Sequence, residues 1–193
     1  VGYSAGESVT TGVQNTLIGA LAGDALTTGK QNVAIGYLAL SSDDVGQKSI
    51  AIGEGALFTQ NYATATDSHN TAIGYNVGNA VTTGTSNTFV GAFAGDATDD
   101  GVGNVAVGIL ALSANCGNAN TAIGPEALSA CTGGNNTALG KDAGVSVTSG
   151  SNNMFLGFQS GVTGSPGGQQ TTSSDRIALG DENVTNCHIQ VDW

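Results

Sequence analysis

The chain is poor in basic residues, and this scarcity excludes the partners that need them. Its 193 residues include 4 Lys and Arg against 15 Asp and Glu, which gives a formal net charge of -11. Binding to nucleic acid depends on Lys and Arg against phosphate, and an anionic membrane surface attracts the same residues. We therefore expect neither as a partner. Such acidity is typical of long particles that repel one another in solution.

Cysteine and long apolar runs are scarce as well. The 3 Cys residues, Cys116, Cys131 and Cys187, give neither a disulfide framework nor a metal-binding spacing. Cys116 and Cys131 fall at similar phases of neighbouring repeats, which leaves a contact between them open, with free thiols as the simpler expectation. No apolar stretch is long enough to span a bilayer, so membrane insertion is not expected.

Glycine, in contrast, is abundant and periodic. Of 31 Gly residues, eleven close a near-identical five-residue string, and we call these the marker glycines. They are Gly2, Gly19, Gly36, Gly53, Gly74, Gly91, Gly108, Gly124, Gly140, Gly157 and Gly180. Most are 17 residues apart, with spacings of 21 before Gly74 and 23 before Gly180. A short fixed period predicts a stacked array whose units bury their apolar faces against their neighbours. We therefore predict an all-β solenoid of about eleven short coils.

Fixed columns surround each marker glycine, which we number position 0. Position −1 is always aliphatic and position −3 is nearly always β-branched, as in Ile73 and Thr71. Residues two apart share one face of a strand, so we predict that these two columns point into the coil. Position +3 is small, as in Ala94, and is predicted to point inward from a second short strand. A further glycine at position −7, as in Gly84, predicts a turn with positive φ.

Position −2 lies between the two inward columns and is predicted to face outward. It is mostly Ala, and Leu17, Phe89 and Phe155 interrupt it. An apolar column on the outside of a thin coil requires a partner surface. We therefore predict self-association through a seam of Leu17, Phe89 and Phe155. The symmetry of the sequence is compatible with either two or three chains.

The residue at position +4 alternates in pairs along the chain. Two units with Gly are followed by two units with Leu, and the same order then repeats. Where position +4 is Gly, position +7 is mostly aliphatic, as in Leu26; where it is Leu, position +7 is polar or Cys, as in Gln60. Because a close-packed core is filled only once, this compensation favours a stacked interior.

Several repeats resemble known fibrous proteins. Asn-Thr-Ala-Ile-Gly at 70–74 and 120–124, and Gln-Asn-Val-Ala-Ile-Gly at 31–36, resemble the head repeat of YadA-like trimeric autotransporter adhesins. This resemblance covers nearly the whole chain and implies a left-handed parallel β-roll that forms a homotrimeric fibre. The strings with Thr-Thr-Gly turns at 27–29 and 82–84 are still more similar to the repeat regions of phage tail fibres. Heptads of an adhesin stalk and membrane anchor strands are absent from the sequence.

The resemblance implies a non-enzymatic structural and host-attachment segment of a phage tail fibre, located in the virion. The alternative is the head domain of a bacterial trimeric autotransporter adhesin at the cell surface. Residues 1–174 are expected to form the repeat array, and residues 175–193 a terminal repeat with a C-terminal strand that leads out of the array. The stretch from Asp175 to Asp181 resembles the segment that precedes a self-cleaving chaperone in such fibres.

Two insertions interrupt the array, near residues 58–69 and 161–174. Insertions leave a solenoid stack on one face and often carry binding. In the first insertion, Tyr62 and His69 offer stacking and hydrogen bonding suited to a glycan. We predict receptor contact at these two residues, with a host cell-surface glycan or protein as the partner. Filler loops without a function are the simpler alternative.

The sequence offers little for catalysis or cofactors. His69 and His188 lie far apart in the array and cannot meet within one roll, which excludes most acid–base and metal sites. We expect no enzyme activity, no catalytic residue, no cofactor and no metal site.

Two weaker possibilities concern cations and ice. The turn carboxylates Asp43-Asp44 and Asp99-Asp100 keep cation binding open, with solvated turns as the simpler alternative. Ice binding uses regular outward Thr arrays, whereas the Thr residues at position −3 are predicted to point inward.

Overall fold

The computed structural model describes residues 1–164 and 168–185. Within them the chain is all-β, without a helix, and ten three-residue strands form one parallel sheet in chain order. The strands are β1 Thr16–Ile18, β2 Val33–Ile35, β3 Ile50–Ile52, β4 Thr71–Ile73, β5 Thr88–Val90, β6 Val105–Val107, β7 Thr121–Ile123, β8 Thr137–Leu139, β9 Met154–Leu156 and β10 Ile177–Leu179. The predicted β-solenoid is confirmed, and it is parallel.

Each strand pairs with the next at the same column of the repeat. Between β4 and β5, for example, Ala72 lies opposite Phe89, both at position −2. We call each repeat unit of the stack a rung. Backbone hydrogen bonds between successive rungs continue outside the strands, where the Leu38 N–H donates to the Ala20 carbonyl at 3.1 Å. Ten of the eleven marker glycines directly follow a strand, and Gly2 is the exception.

The residues after each marker glycine form turns, so the prediction of a second strand is wrong for the described residues. Leu38 and Leu110, both at position +2, have φ values of 57°, which is a left-handed conformation that a strand does not contain. The small residues at position +3 nevertheless point inward as predicted. Ala94 and Ala111, for example, are fully buried.

The strand face that points into the coil is the opposite of the one predicted. Position −2 is buried in every strand from β2 to β10, and Ala34 and Ala72 are fully enclosed. Positions −3 and −1 are instead partly or largely exposed, as in Ile73 at 38 %. The physical reason is volume, because a close-packed thin coil holds one Ala per strand but not two β-branched side chains.

Leu17, Phe89 and Phe155 consequently lie inside the coil, and the predicted seam is wrong. Phe89 and Phe155 are 0 % exposed in the isolated chain, and Leu17 packs against the same core. Each large side chain fills space left by glycines at position +4. A Cβ added at Gly95 would lie 2.6 Å from the Phe89 ring, and one added at Gly161 would lie 2.4 Å from the Phe155 ring. Every rung with Leu at position +4 has Ala at position −2.

The glycines at position −7 serve close approach rather than positive φ. None of them has a left-handed φ. A Cβ at Gly84 would lie 2.5 Å from the Gly101 carbonyl oxygen, and one at Gly133 would lie 2.1 Å from the Gly150 carbonyl oxygen. Successive rungs therefore touch backbone to backbone at this corner, which leaves no room for a side chain. The prediction that a positive φ requires glycine at position −7 is therefore wrong.

The Asn residues at position −4 form a buried ladder along the coil. Asn87 Oδ1 accepts a hydrogen bond from the Asn104 N–H at 2.9 Å, and Asn87 Nδ2 donates to the Gly101 carbonyl at 2.8 Å. The same pair of bonds links Asn70 to Asn87 and to Gly84. The amides of Asn70 and Asn87 thus satisfy backbone groups of the following rung inside the coil.

Cys116 and Cys131 are buried free thiols. Burial raises the pKa of the Cys131 thiol to about 11. Cys187, His188 and the predicted C-terminal strand lie outside the described residues, as do residues 165–167 of the second insertion.

Candidate functional site

Tyr62 and His69, the predicted receptor contacts, do not form a shared surface. Tyr62 is only 5 % exposed, and its hydroxyl donates to the Gly84 carbonyl at 2.7 Å. The hydroxyl also accepts from Asn70 Nδ2 at 3.2 Å, and burial raises the pKa of the phenol. His69 is exposed, at φ 50°. The prediction for Tyr62 as a surface contact is therefore wrong, because its ring fills the coil interior at the insertion.

Tyr62 belongs to a buried polar cluster at the one internal rung where the Asn ladder is interrupted. Position −4 of that rung is Ser49, whose hydroxyl lies 2.5 Å from the Ser68 hydroxyl. Gln60 Nε2 donates to Ser49 Oγ at 2.7 Å, and Gln60 Oε1 accepts from Asn70 Nδ2 at 2.9 Å. Gln60 and the two serines thus take over the bonding role of the missing amide.

Asp43 completes this cluster as a buried carboxyl group, and no cationic side chain of the described residues pairs with it. Its Oδ2 accepts from Gln60 Nε2 at 2.7 Å and its Oδ1 accepts from the Gly46 N–H at 2.9 Å. Burial raises the pKa of Asp43, and the bonds from Gln60 and Gly46 oppose that rise. Both oxygens are therefore committed to donors inside the coil.

The turn carboxylates Asp43 and Asp99 are each engaged in hydrogen bonds. Asp43 faces inward, while Asp99 accepts a hydrogen bond from the Thr82 hydroxyl. No group of three or more His, Cys, Asp or Glu residues close enough to hold a metal ion occurs among residues 1–164 and 168–185.

An apolar face formed by positions −1 and +1 runs along the outside of the array, and we call it the aliphatic face. It carries eleven of the seventeen large exposed apolar side chains of the described residues. They are Val1, Ile18, Ile73, Val107, Ile123 and Leu139 at position −1, and Tyr3, Tyr37, Tyr75, Ile109 and Phe158 at position +1. Tyr75 packs edge-on against Phe93, with ring centroids 5.3 Å apart. Exposed apolar side chains that recur in two columns mark an interaction site.

The Thr residues at position −3 point outward, contrary to expectation, but they do not form an unbroken array. Thr71 and Thr88 are adjacent, whereas Val33, Ile50 and Val105 interrupt the column. The regular Thr ladder that ice binding uses is absent from the described strands.

A groove of about 300 Å³ lies across rungs β8, β9 and β10 and includes position −3, which shares the outer strand face with position −1 of the aliphatic face. We call it the Arg176 groove. Its lining residues occupy positions −5, −4 and −3, and they are Asn135, Thr137, Asn152, Asn153, Met154, Asp175, Arg176 and Ile177. Arg176 stands at position −4, where the other residues are Asn except for Ser49, and it is exposed.

The backbone of the groove is fixed by bonds between rungs. The N–H groups of Asn135, Asn152 and Asp175 donate to position −6 carbonyls of the preceding rungs at 2.9, 3.1 and 3.1 Å. Their φ values are 60°, 57° and 61°, a left-handed conformation that Asn and Asp tolerate better than most residues. The Arg176 N–H donates to Asn153 Oδ1 at 3.0 Å. The polar side chains therefore project from a rigid edge.

One side-chain bond crosses the groove. Asn152 Nδ2 donates to Asp175 Oδ1 at 2.6 Å, which orients the carboxylate. Within the described residues, no hydrogen bond or ion pair engages the Arg176 guanidinium group. Sequence reasoning missed the groove. The repeated polar residues at position −5 were the available signal.

Comparison with known proteins finds no matching family model, no matching curated protein and no matching solved structure. Among the described residues, no helix is long and apolar enough to cross a membrane.

Proposed function

We propose that this chain is a rigid, non-enzymatic segment of a phage tail fibre, which assembles as a homotrimer in the virion and presents host-contact surface along its sides. About eleven left-handed coils form the spacer. The aliphatic face is the single observation that carries the proposal, because an isolated chain leaves it open to water along the whole array.

Rigidity follows from the bonding between rungs. Each rung donates and accepts backbone hydrogen bonds through its strand, its turn and position −5. The Asn ladder adds side-chain bonds inside the coil. Stacked at ~4.8 Å per rung, ten strands extend over roughly 45 Å. An array of this kind acts as a spacer of defined length, because each rung is fixed by its neighbours.

A copy of the same chain fits the aliphatic face better than an unrelated partner does. Positions −1 and +1 form two columns of eleven residues each. A standard protein–protein interface uses about 20–30 residues on each side, so the two columns together are of this size. A second copy repeats the same rise, so its ridges match this face at every rung. Position −1 carries no charge, and position +1 carries only Glu54, Lys141 and Asp181. Assembly through this face leaves most of the acidic residues on the outside.

Sedimentation equilibrium tests the assembly. We expect a particle of about three times the 18.9 kDa chain mass. Ile73→Glu combined with Ile123→Glu places charges in the middle of the aliphatic face, and we expect a shift to monomer. The matched control is Ala130→Glu with Ser149→Glu, two exposed residues outside that face, and it should keep the trimer mass. A monomeric wild-type particle would refute the proposal.

The alternative function is the head of a bacterial trimeric adhesin, which uses the same assembly. An antibody against the chain, applied in electron microscopy to phage particles and to bacterial cells that carry the gene, separates the two. Label on tail fibres supports the fibre function, and label on intact cell surfaces supports the adhesin.

A further inference from the structure

The Arg176 groove brings both kinds of hydrogen-bonding group to one place. The Arg176 guanidinium supplies several donors in a fixed plane, and the Asp175 carboxylate supplies acceptors. The amides of Asn135 and Asn152 each carry a donor and an acceptor group, and Thr137 adds a hydroxyl. A ligand that fits must therefore offer donors and acceptors along its length, as the hydroxyl groups of a sugar do.

An apolar strip lies beside these polar groups. Met154 and Ile177, at position −3 of β9 and β10, line the groove and are 39 % and 71 % exposed. A pyranose ring presents C–H groups on one face and hydroxyl groups around its edge. The apolar strip suits the ring face, while the position −5 side chains reach the hydroxyl edge. The volume of about 300 Å³ lies at the lower end of the range for ligand sites, which suits one or two sugar units.

The charge of the chain decides between neutral and acidic sugars. One arginine faces a molecule with a net charge of -11, and Asp175 lies directly beside it. An anionic sugar would meet repulsion from this surface, whereas a neutral sugar would not.

We propose that the Arg176 groove binds a neutral oligosaccharide of the host cell surface. This inference rests on the host-contact part of the proposed function and names its ligand class and its residues. The groove lies at positions −5 to −3, whereas the aliphatic face is formed by positions −1 and +1, and the inference requires that trimer assembly leave the position −5 edge open. The fixed backbone at position −5 holds the side chains in place before the ligand arrives, which lowers the entropic cost of binding.

A glycan array with neutral hexose and N-acetylhexosamine oligomers and with sialylated and uronic-acid glycans provides the first test. We expect binding to neutral oligomers only. Isothermal titration with the best neutral binder then measures variants. Arg176→Gln and Asn135→Ala are each expected to raise the dissociation constant about tenfold, the effect of one lost hydrogen bond to a charged or preorganised group.

Matched controls separate the groove from general effects. Lys30→Gln removes one exposed positive charge elsewhere, and Gln31→Ala changes position −5 of a distant rung at φ 59°. Both should bind like the wild type. The inference is overturned if no glycan binds, if acidic glycans are preferred, or if Arg176→Gln and Asn135→Ala bind like the controls. Because these variants should keep the trimer mass in sedimentation, loss of glycan binding is distinguishable from failure of the assembly.

Discussion

At the scale of the residue, glycine has two separate duties in this chain. The marker glycines have left-handed φ values, such as 134° at Gly124, and also lie against the next rung. The glycines at position −7 have no such φ; at most of them the backbone of the next rung lies too close for a Cβ, and at Gly46 the Asp43 side chain does. The distinction matters because strain from φ depends on the residue alone, whereas strain from contact depends on the neighbouring rung.

Alanine at two position −7 glycines tests this account. A Cβ at Gly133 would lie 2.1 Å from the Gly150 carbonyl oxygen, whereas a Cβ at Gly117 would lie 3.2 Å from the Gly133 carbonyl oxygen. We expect Gly133→Ala to lower the free energy of unfolding by about 1–3 kcal/mol and Gly117→Ala to lower it far less. Urea denaturation at a fixed protein concentration measures both. Equal losses would contradict the contact explanation.

The buried carboxyl group of Asp43 makes stability depend on pH. Burial raises its pKa above the ordinary 3.8, and hydrogen bonds from Gln60 and Gly46 reduce that rise. The folded state therefore holds the proton more tightly than the unfolded state, so stability increases as pH falls through the raised pKa towards 3.8. Asp96, whose pKa burial also raises, acts in the same direction. Asp67 and Asp181, whose pKa values are lowered, act in the opposite direction, and their contribution is lost as pH falls through 3.8 and below.

We expect the urea midpoint of the wild type to rise between pH 7 and pH 4.5. In Asp43→Asn the rise should shrink, because the titrating group is gone and only Asp96 remains of the two. Asp100→Asn, an exposed carboxylate in the other aspartate pair, serves as the control and should retain the full rise. A midpoint that falls over this range in the wild type would show that Asp43 is stabilised as a carboxylate.

At the scale of the element, each strand has only three residues, and the middle one decides the core. Position −2 is Ala in most rungs, and the rungs with Leu at position +4 never carry a larger residue there. Where Phe89 enters, Gly78 and Gly95 make room on either side. Leu40 and Leu112 hold φ values of 53° and 50° at position +4, so leucine is compatible with that left-handed site. The interior is filled once, either from the strand or from the turn.

This exchange predicts a compensating pair of substitutions. Phe89→Ala should lower the free energy of unfolding by about 3–5 kcal/mol through the cavity it leaves. Gly95→Leu alone should also destabilise, because its Cβ would lie 2.6 Å from the Phe89 ring. In the double variant the leucine occupies the vacated space, and we expect it to recover part of the loss. A double-mutant cycle in urea measures the coupling, and additive losses would contradict the shared volume.

At the scale of the whole molecule, burial inside the coil and exposure outside it divide the apolar residues into two sets. Ala, Leu and Phe side chains of one chain fill the interior, while the isoleucines and tyrosines of the aliphatic face remain exposed. A thin coil cannot bury both sets by itself. Assembly through the aliphatic face is the proposed solution.

The sequence by itself determined the repeat, the all-β class, the strand positions and the inward Ala at position +3, because a fixed period imposes the same local structure on every unit. It also showed that position +4 is compensated elsewhere. Only the tertiary structure decided which strand face is inside. The alternation of side chains defines two strand faces but does not indicate which of them is buried. The small volume of the coil then excludes the β-branched residues that the sequence pattern had placed inside.

The site followed the same division. Arg176 and the Asn column are visible in the sequence, but the groove exists only because three rungs place Asn135, Asn152 and Asp175 side by side. Tyr62 was predicted to be exposed because it lies in an insertion, whereas its hydroxyl bonds to Gly84 inside the coil. Stacking joins residues about one repeat apart, and their contacts depend on register and volume, which no single repeat contains.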